Sequence, residues 1–415
     1  MEDGLYVKKM PANWYSSDGY ADKMISYLDD REKTSDHRPF FAYLAFTAPH
    51  FPLQAPQESI VPYRGVYNEG PDALRERRLR RMIQMGLMEP NTVAHPFVAS
   101  ESPEWDNLSN EQRRKSARAM ECFAGMVHRM DENIGKVLDK LEEQKELDNT
   151  VVVFLSDNGS EGAAYEAYPV IATSIMEHLA TPGYYNNSID NLGNPDSFVW
   201  YGPRWAQAST APSRLFKTYN TEGGTRVPMV IRGPGIKRFG ISHSFSTIMD
   251  ITPTVLEMAG VKHPGRKWNG RDVVPMRGLS MLPWLRCETK HIHDEGFVQG
   301  WELCGRAAIR KGNWKANFVP APRGPDKWEL HDLSIDRGET NDISEKHPKI
   351  MKELMGLWEQ YMLENGVIGV SPELGTVVVP TEEQLTTTGW MEFEYWKPGA
   401  REQPEKFFVD VPKIY

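Results

Sequence analysis

The segment VVVFLSDNGSEG, residues 151–162, ends an apolar run on Asp157 and Asn158. A carboxylate beside a carboxamide offers two hard oxygen donors, with no thiolate or imidazole nearby, a set that favours calcium or magnesium over zinc. Asn158-Gly159 also suits a type I′ hairpin turn. The following SEGAAYEAYPVIATSIMEH lacks the alternation of a returning strand, so a functional loop and a structural turn both stay open on pattern alone. His50 lies in TAPHFPLQAP between Pro49 and Pro52, which restrict the backbone around an imidazole able to donate to an anionic oxygen or shuttle a proton. A surface or packing histidine is the competing reading. Lys217 stands in SRLFKTYNTEGGTRVP, five residues before Glu222-Gly223-Gly224, where paired glycines permit a tight turn or a close approach. An ordinary solvated lysine is the alternative there.

Such residues need elements to position them. PFFAYLAF (39–46) reads as a buried strand that breaks at the proline-punctuated TAPHFPLQAP. ALRERRLRRMIQMGLM (73–88) reads as a helix whose five arginines in seven residues form a solvated face. From Ser109 to Leu147 the spacing predicts one long helix, with Ala119, Phe123, Met126, Met130, Ile134, Val137, Leu138 and Leu141 along its apolar stripe. A helix, a short loop and a β-branched strand without alternation predict a doubly wound α/β fold with a mostly parallel sheet flanked by helices. Asp157 and Asn158 then fall at the carboxyl end of a strand, where ligands of such sheets collect. VPMVIRGPG (227–235) reads as a second strand and turn, and STIMDITPTVLEMAGV (246–261) as a helix stopping at Gly260. From about residue 290 the pattern changes, and AAIRKGNWKANFV and KWELHDLS predict a smaller antiparallel sheet. The stretch 347–366 closes as an amphipathic helix ended by Asn365-Gly366. These shifts place a domain boundary near Cys287, dividing the chain into 1–287 and 288–415.

Composition narrows the classes. With 48 Lys and Arg against 57 Asp and Glu the net charge is −9, the wrong sign for broad contact with nucleic acid, so an anionic substrate would have to meet a local cation cluster. No apolar run approaches the ~20 residues of a membrane span, and MEDGLYVKKM carries no apolar leader, which makes the cytoplasm the default location. The three cysteines, Cys122, Cys287 and Cys304, lack disulfide or zinc spacing and read as reduced thiols. Nothing in the pattern fixes an oligomeric state.

In order and spacing, FFAYLAFTAPHFPLQAP, SDNG, FKTYNTEGGTRVP and DITPTVLEMAGV resemble the sulfatase family within the alkaline phosphatase superfamily. YYNNSIDNLGNPDSFVWYGPRWAQASTAPSR is similar to the larger arylsulfatases, and WELHDLSIDRGETNDISEKHP to the family's small C-terminal subdomain. The resemblance implies an alkaline-phosphatase-like fold and hydrolysis of a small-molecule sulfate ester. It implies that Asp157 and Asn158 are metal ligands, normally for calcium with magnesium as the alternative. It further implies that His50 binds the sulfate or assists the leaving group, and that Lys217 contacts a sulfate oxygen. The remainder of TEGGTRVP is then scaffold. Trp200, Tyr201 and Trp205 are candidates for a pocket wall, with core packing the stronger reading.

The resemblance also implies a formylglycine, made from Cys or Ser in Cys/Ser-x-Pro/Ala-x-Arg, and this sequence has no such motif. Cys122 is followed by FAGM, Cys287 by ETKH and Cys304 by GRAA. Thr210-Ala-Pro-Ser-Arg214 imitates the spacing, but a secondary alcohol would oxidise to a ketone. The family's early strand with paired aspartates and its Lys-x-His segment are missing as well; Asp29-Asp30 follows a helical pattern and is no substitute. Because the missing parts are contiguous, the chain reads as truncated ahead of SSDGYADKMISYL. It is expected to be poorly stable and weakly active alone, since loss of a central strand leaves unpaired backbone and an apolar slot. A non-catalytic binder of sulfated ligands and a phosphate or phosphonate ester hydrolase are the alternatives.

Overall fold

The computed structural model describes residues 11, 14–34, 38–98, 103–162, 186–321 and 323–367. Helices α1 (Ser16–Lys33), α2 (Gln57–Ile60), α3 (Gly70–Gln84) and α4 (Asn110–Glu143) precede strand β1 (Val152–Leu155). Then come α5 (Pro203–Thr210), α6 (Glu222–Thr225), β2 (Met229–Arg232) and α7 (Ile251–Met258), followed by a two-residue ladder, β3 (Lys267–Trp268) with β4 (Arg271–Asp272), and α8 (Leu282–Leu285). Strands β5 (Val298–Leu303), β6 (Arg306–Lys311), β7 (Trp314–Phe318) and β8 (Trp328–Asp332) lead to α9 (Pro348–Asn365).

The long helix starts where its sequence caps it. Ser109 Oγ accepts from the Gln112 backbone N–H, and Gln112 Oε1 accepts from that of Ser109, satisfying two donors that a helix end otherwise leaves orphaned. Ala119 and Met126 from its stripe are buried in the main core with Leu53, Ile60, Trp205 and Phe216. Gly125 allows α2 to close on α4, because a Cβ there would come 2.7 Å from Ile60 Cγ1. On another face Arg129 grips Asp18 of α1 with bonds of 2.7 and 2.9 Å, and Asn133 Nδ2 donates to the same carboxylate. Burial pushes the Asp18 carboxyl up, but Arg129 and Asn133 outweigh it and hold the group below the usual carboxylate range. The arginine-rich face of α3 is mostly solvated, as expected, although Arg75 lies 4.2 Å over the Phe97 ring.

Two expectations about the sheet need correction. Every strand pair among the described residues is antiparallel, including β1 with β2, where Val152 faces Arg232 and Leu155 faces Met229. The excursion from 156 to 228 leaves and re-enters at the same end of this pair, which makes the return antiparallel. Moreover, residues 39–46 join no sheet, and Phe41 and Tyr43 are 74% and 81% exposed. A continuous apolar run is a stable strand only where both faces are covered and its backbone is paired. This run instead lines an open cleft of about 4420 Å³, together with Ile134, Val137 and Leu138 of α4 and the whole of β1. The predicted stripe of α4 therefore begins in the core and ends on a cleft wall.

The C-terminal sheet has the order β5-β6-β7-β8 and is antiparallel throughout. Leu354 and Trp358 of α9 bury against Ala307, Ile309, Ala316 and Leu330, with Ile350, Leu357 and Tyr361 packed around them. Gly366 ends this helix in the left-handed conformation at φ +63°. Among the described residues no helix is long and apolar enough to cross a membrane.

Candidate active site

Three loops converge beside the carboxyl end of β1. In the 156–162 loop, Ser156 Oγ donates to the Asn158 carbonyl, and Asn158 Nδ2 donates to the Gly159 carbonyl. That arrangement leaves the Asn158 side-chain oxygen without a partner among the described residues, and Asp157 is exposed next to it on the cleft. Gly159 N–H donates to the Gly224 carbonyl at 3.0 Å, and Lys217 N–H to the Ser160 carbonyl at 3.0 Å, tying this loop to the 213–226 segment. The approach is close enough that a Cβ on Gly159 would run into the Gly223 carbonyl. Gly159→Ala is therefore expected to cost about 1–3 kcal/mol, the usual range for forced overpacking. A denaturation midpoint equal to that of the parent protein would show that the loops can part without penalty.

Lys217 sits between two residues with positive φ, Leu215 at +58° and Thr218 at +79°, a conformation that costs a side-chain-bearing residue on the order of 1–3 kcal/mol. The C-terminal sheet supplies what holds it. Arg306 Nη1 donates to the Thr218 carbonyl, Asn220 Nδ2 donates to the Arg306 carbonyl at 2.8 Å, and Arg214 pairs with Glu329 at 2.6 Å. Lys315 of β7, fully buried, lies 2.8 Å from Glu222 and 3.3 Å from Glu339, whose other oxygen accepts from the Glu222 backbone N–H. The Thr210–Arg214 imitation of a nucleophile motif is thus structural: Arg214 is buried in an ion pair, and Thr210 Oγ1 donates to the Leu215 carbonyl.

His50 reaches the same place from the third loop. Its Nδ1 is 2.8 Å from the Phe51 carbonyl, to which the ring N–H donates, so Nε2 turns toward Glu161 at 3.8 Å. Lys217 Nζ lies 2.9 Å from the same Glu161 oxygen. His50 and Lys217, singled out separately in the sequence, therefore share a carboxylate that the sequence reading passed over. The one local sign of Glu161 was a second acid four residues after Asp157 in SDNGSEG. Tyr201 packs beside Ser160 and Glu161, and burial, reinforced by the Glu161 charge, pushes its hydroxyl well above the ordinary tyrosine value. Tyr201 and Trp205 belong to the core, and Trp205 Nε1 donates to Ser116 Oγ, whereas the Trp200 ring lies tilted against Phe51 with centroids 6.3 Å apart.

The donor set fits a hard cation in kind. Asp157 and Asn158 present adjacent oxygens without a partner among the described residues, two of the six to eight that calcium takes. No group of three or more His, Cys, Asp or Glu side chains with metal-site geometry occurs among the described residues. The cysteines are free; burial pushes the Cys122 thiol up to about 11, while Cys287 and Cys304 are exposed.

A mixed helix-and-sheet domain with an oxygen-donor pair at a strand end and a small antiparallel C-terminal sheet is the architecture of the alkaline-phosphatase-like folds. One solved structure of similar fold is that of Ps i-CgsB in complex with k-i-k-neocarrahexaose, at TM-score 0.54 and 21% identity, covering 93% of this chain and 64% of that one. The family model for Sulfatase matches residues 4–261, and the chain belongs to the sulfatase family. It is 50% identical over 359 residues to an uncharacterized sulfatase of Schizosaccharomyces pombe, covering 86% of this chain and 63% of that protein. To the arylsulfatase of Klebsiella aerogenes it is 37% identical over 284 residues, covering 67% of this chain and 58% of that enzyme. The chain thus spans about three-fifths of the length of these two relatives.

Proposed function

We propose that this protein acts on small-molecule sulfate esters, with Asp157 and Asn158 holding a calcium ion and His50 and Lys217 serving the transferring sulfate. The observation that carries the reading is the convergence of Lys217 and His50 on Glu161, four residues from Asp157 in one loop. A bound calcium ion would supply positive charge where negative charge builds on sulfate oxygens. Lys217 adds a fixed cation to the same region, and His50, with its Nδ1 hydrogen committed to Phe51, keeps Nε2 for a proton at the leaving oxygen. The aldehyde nucleophile of the family is not assigned to any residue of this sequence.

Turnover of 4-nitrophenyl sulfate set against 4-nitrophenyl phosphate tests the ester class, and faster phosphate hydrolysis would overturn the sulfate assignment. One observation favours a second reading, a sulfatase-like protein that binds sulfated ligands without cleaving them: none of the 415 residues begins a Cys/Ser-x-Pro/Ala-x-Arg motif. That reading predicts sulfate-ester binding with no release of phenol. The metal assignment has its own measurement. Calcium at one hundred times its dissociation constant is expected to stabilise the fold by ~2.7 kcal/mol and to leave Asp157→Ala unmoved. An equal shift in both proteins would place calcium elsewhere.

A further inference from the structure

A second concentration of positive charge lies where the 213–226 segment meets the C-terminal sheet. Arg226 follows α6, Arg310 stands on β6 and Arg337 comes from the loop after β8; with His243 they open onto the large cleft. Arg337 Nη1 lies 3.3 Å from His243 Nδ1, the Arg310 guanidinium is 4.1 Å over the Phe245 ring, and Arg310 Nε donates to the Gly312 carbonyl. Arg337 Nε is buried without a hydrogen-bond partner among the described residues. Among the described residues none of these three arginines forms an ion pair with a carboxylate.

The carboxylates close to them are already engaged. Glu222 and Glu339 belong to Lys315, and Glu339 also accepts from Asn317 and from the Glu222 backbone. Asp336, next to Arg337 in sequence, is turned to the N–H groups of Thr340 and Asn341. Four cations, Arg226, Arg310, Lys315 and Arg337, thus face two carboxylates in a partly desolvated corner. Burial lowers the affinity of Arg226 and Arg310 for their protons; Glu222 opposes it, and the like-charged neighbours add to the lowering in smaller measure. Burial, then Arg337 and Arg226, likewise lower the His243 imidazole, although Glu89 opposes them. A neutral His243 can accept from Arg337, which keeps that guanidinium turned toward the cleft. Guanidinium groups left in excess and partly dry are matched best by an oxyanion, which takes two N–H bonds from each planar fork.

We infer that Arg226, Arg310 and Arg337 form a second oxyanion site, on the same cleft as Asp157 and Lys217 but sharing no residue with them, which takes a sulfate- or phosphate-like group, either a free ion or an anionic substituent of a larger ligand. This assignment stands without the proposed hydrolysis, since it invokes neither the metal nor His50. The test is thermal unfolding of the full chain in calcium-free buffer, titrated with sodium sulfate and, at matched ionic strength, with sodium chloride. Sulfate is expected to raise the midpoint in the parent protein and in Lys217→Ala. In Arg337→Gln the half-saturating sulfate concentration is expected to rise at least about tenfold, equivalent to 1.4 kcal/mol. Arg310→Lys, which keeps charge but loses the fork, should weaken sulfate by a smaller factor and guards against a folding defect in the first variant. An equal response to chloride, an unchanged response in Arg337→Gln, or loss of the response in Lys217→Ala would each overturn the assignment. Titration with 4-nitrophenyl sulfate and with inorganic sulfate then separates the two sources, because a site for a substituent binds the ester as tightly as the ion.

Discussion

Lys315→Met is expected to lower stability by ~3–5 kcal/mol, the range seen when one partner of a buried ion pair is removed and the other is left behind. Lys315 is fully buried at the meeting of Glu222 and Glu339, and its deletion would strand two carboxylates that have little access to water. Methionine fills a similar volume, so a cavity contributes little and the loss reports charge. The pH dependence fixes the sign. Burial pushes the Glu222 carboxyl up, but Lys315, Arg310 and Arg226 outweigh burial, so the group lies below its ordinary value. In the parent protein its contribution is therefore present above about pH 4.3, the unfolded carboxylate value, and fades as pH falls through the lower folded one. In Lys315→Met burial acts without the nearest cation, the folded carboxyl rises above its unfolded value, and the penalty is greatest at neutral pH and shrinks on acidification. Chemical denaturation at pH 7 and pH 5 measures both effects. A loss below about 1 kcal/mol at pH 7, or one that grows on acidification, would show that the two carboxylates find other partners.

The same network explains what the sequence displayed and what it concealed. The long helix was legible because its signal is local, an apolar residue every three or four positions from Ser109 onward, although it ends at Glu143, short of the predicted Leu147. The strands at 152–155 and 229–232 and the amphipathic helix at 348–365 were legible for the same reason. Asp157, Asn158, His50 and Lys217 each stood out through a loop of unusual composition, and the fold brings the loops together. Lys315 gave no such sign. It occupies a strand in GNWKANF, and its partner Glu222 is 93 residues away, so only the tertiary structure reveals why an ammonium is buried there. PFFAYLAF fails in the opposite direction. Its composition speaks for a covered strand, but coverage belongs to its neighbours, and here they form a cleft. Arg226, Arg310 and Arg337, without an ion pair among the described residues, follow the same rule, since a charge excess is a property of an assembled corner and of no single segment.

Under the proposed hydrolysis, Lys217→Ala is expected to lower kcat/KM for aryl sulfates about 10²- to 10³-fold, ~2.7–4 kcal/mol of transition-state stabilisation, the usual effect of removing one preplaced donor. The geometry gives this loss a particular form. Lys217 Nζ is held 2.9 Å from Glu161, so a sulfate oxygen must draw the ammonium partly away from that carboxylate when it binds. Ground-state affinity is thereby blunted, while the growing charge of the transition state competes better for the same cation. The loss in Lys217→Ala should therefore fall mainly on kcat, with KM changed by less than about threefold. Glu161→Gln removes the competing charge but also the group that fixes Lys217 and faces His50. It should lower KM together with kcat, and the double variant Glu161→Gln/Lys217→Ala should be little worse than Lys217→Ala alone, because Glu161 acts through the lysine. Steady-state kinetics on the four proteins of this cycle decide the matter: fully additive defects would mean that Glu161 serves His50 rather than Lys217. A Lys217→Ala enzyme within about threefold of the parent in kcat/KM would remove the lysine from the chemistry.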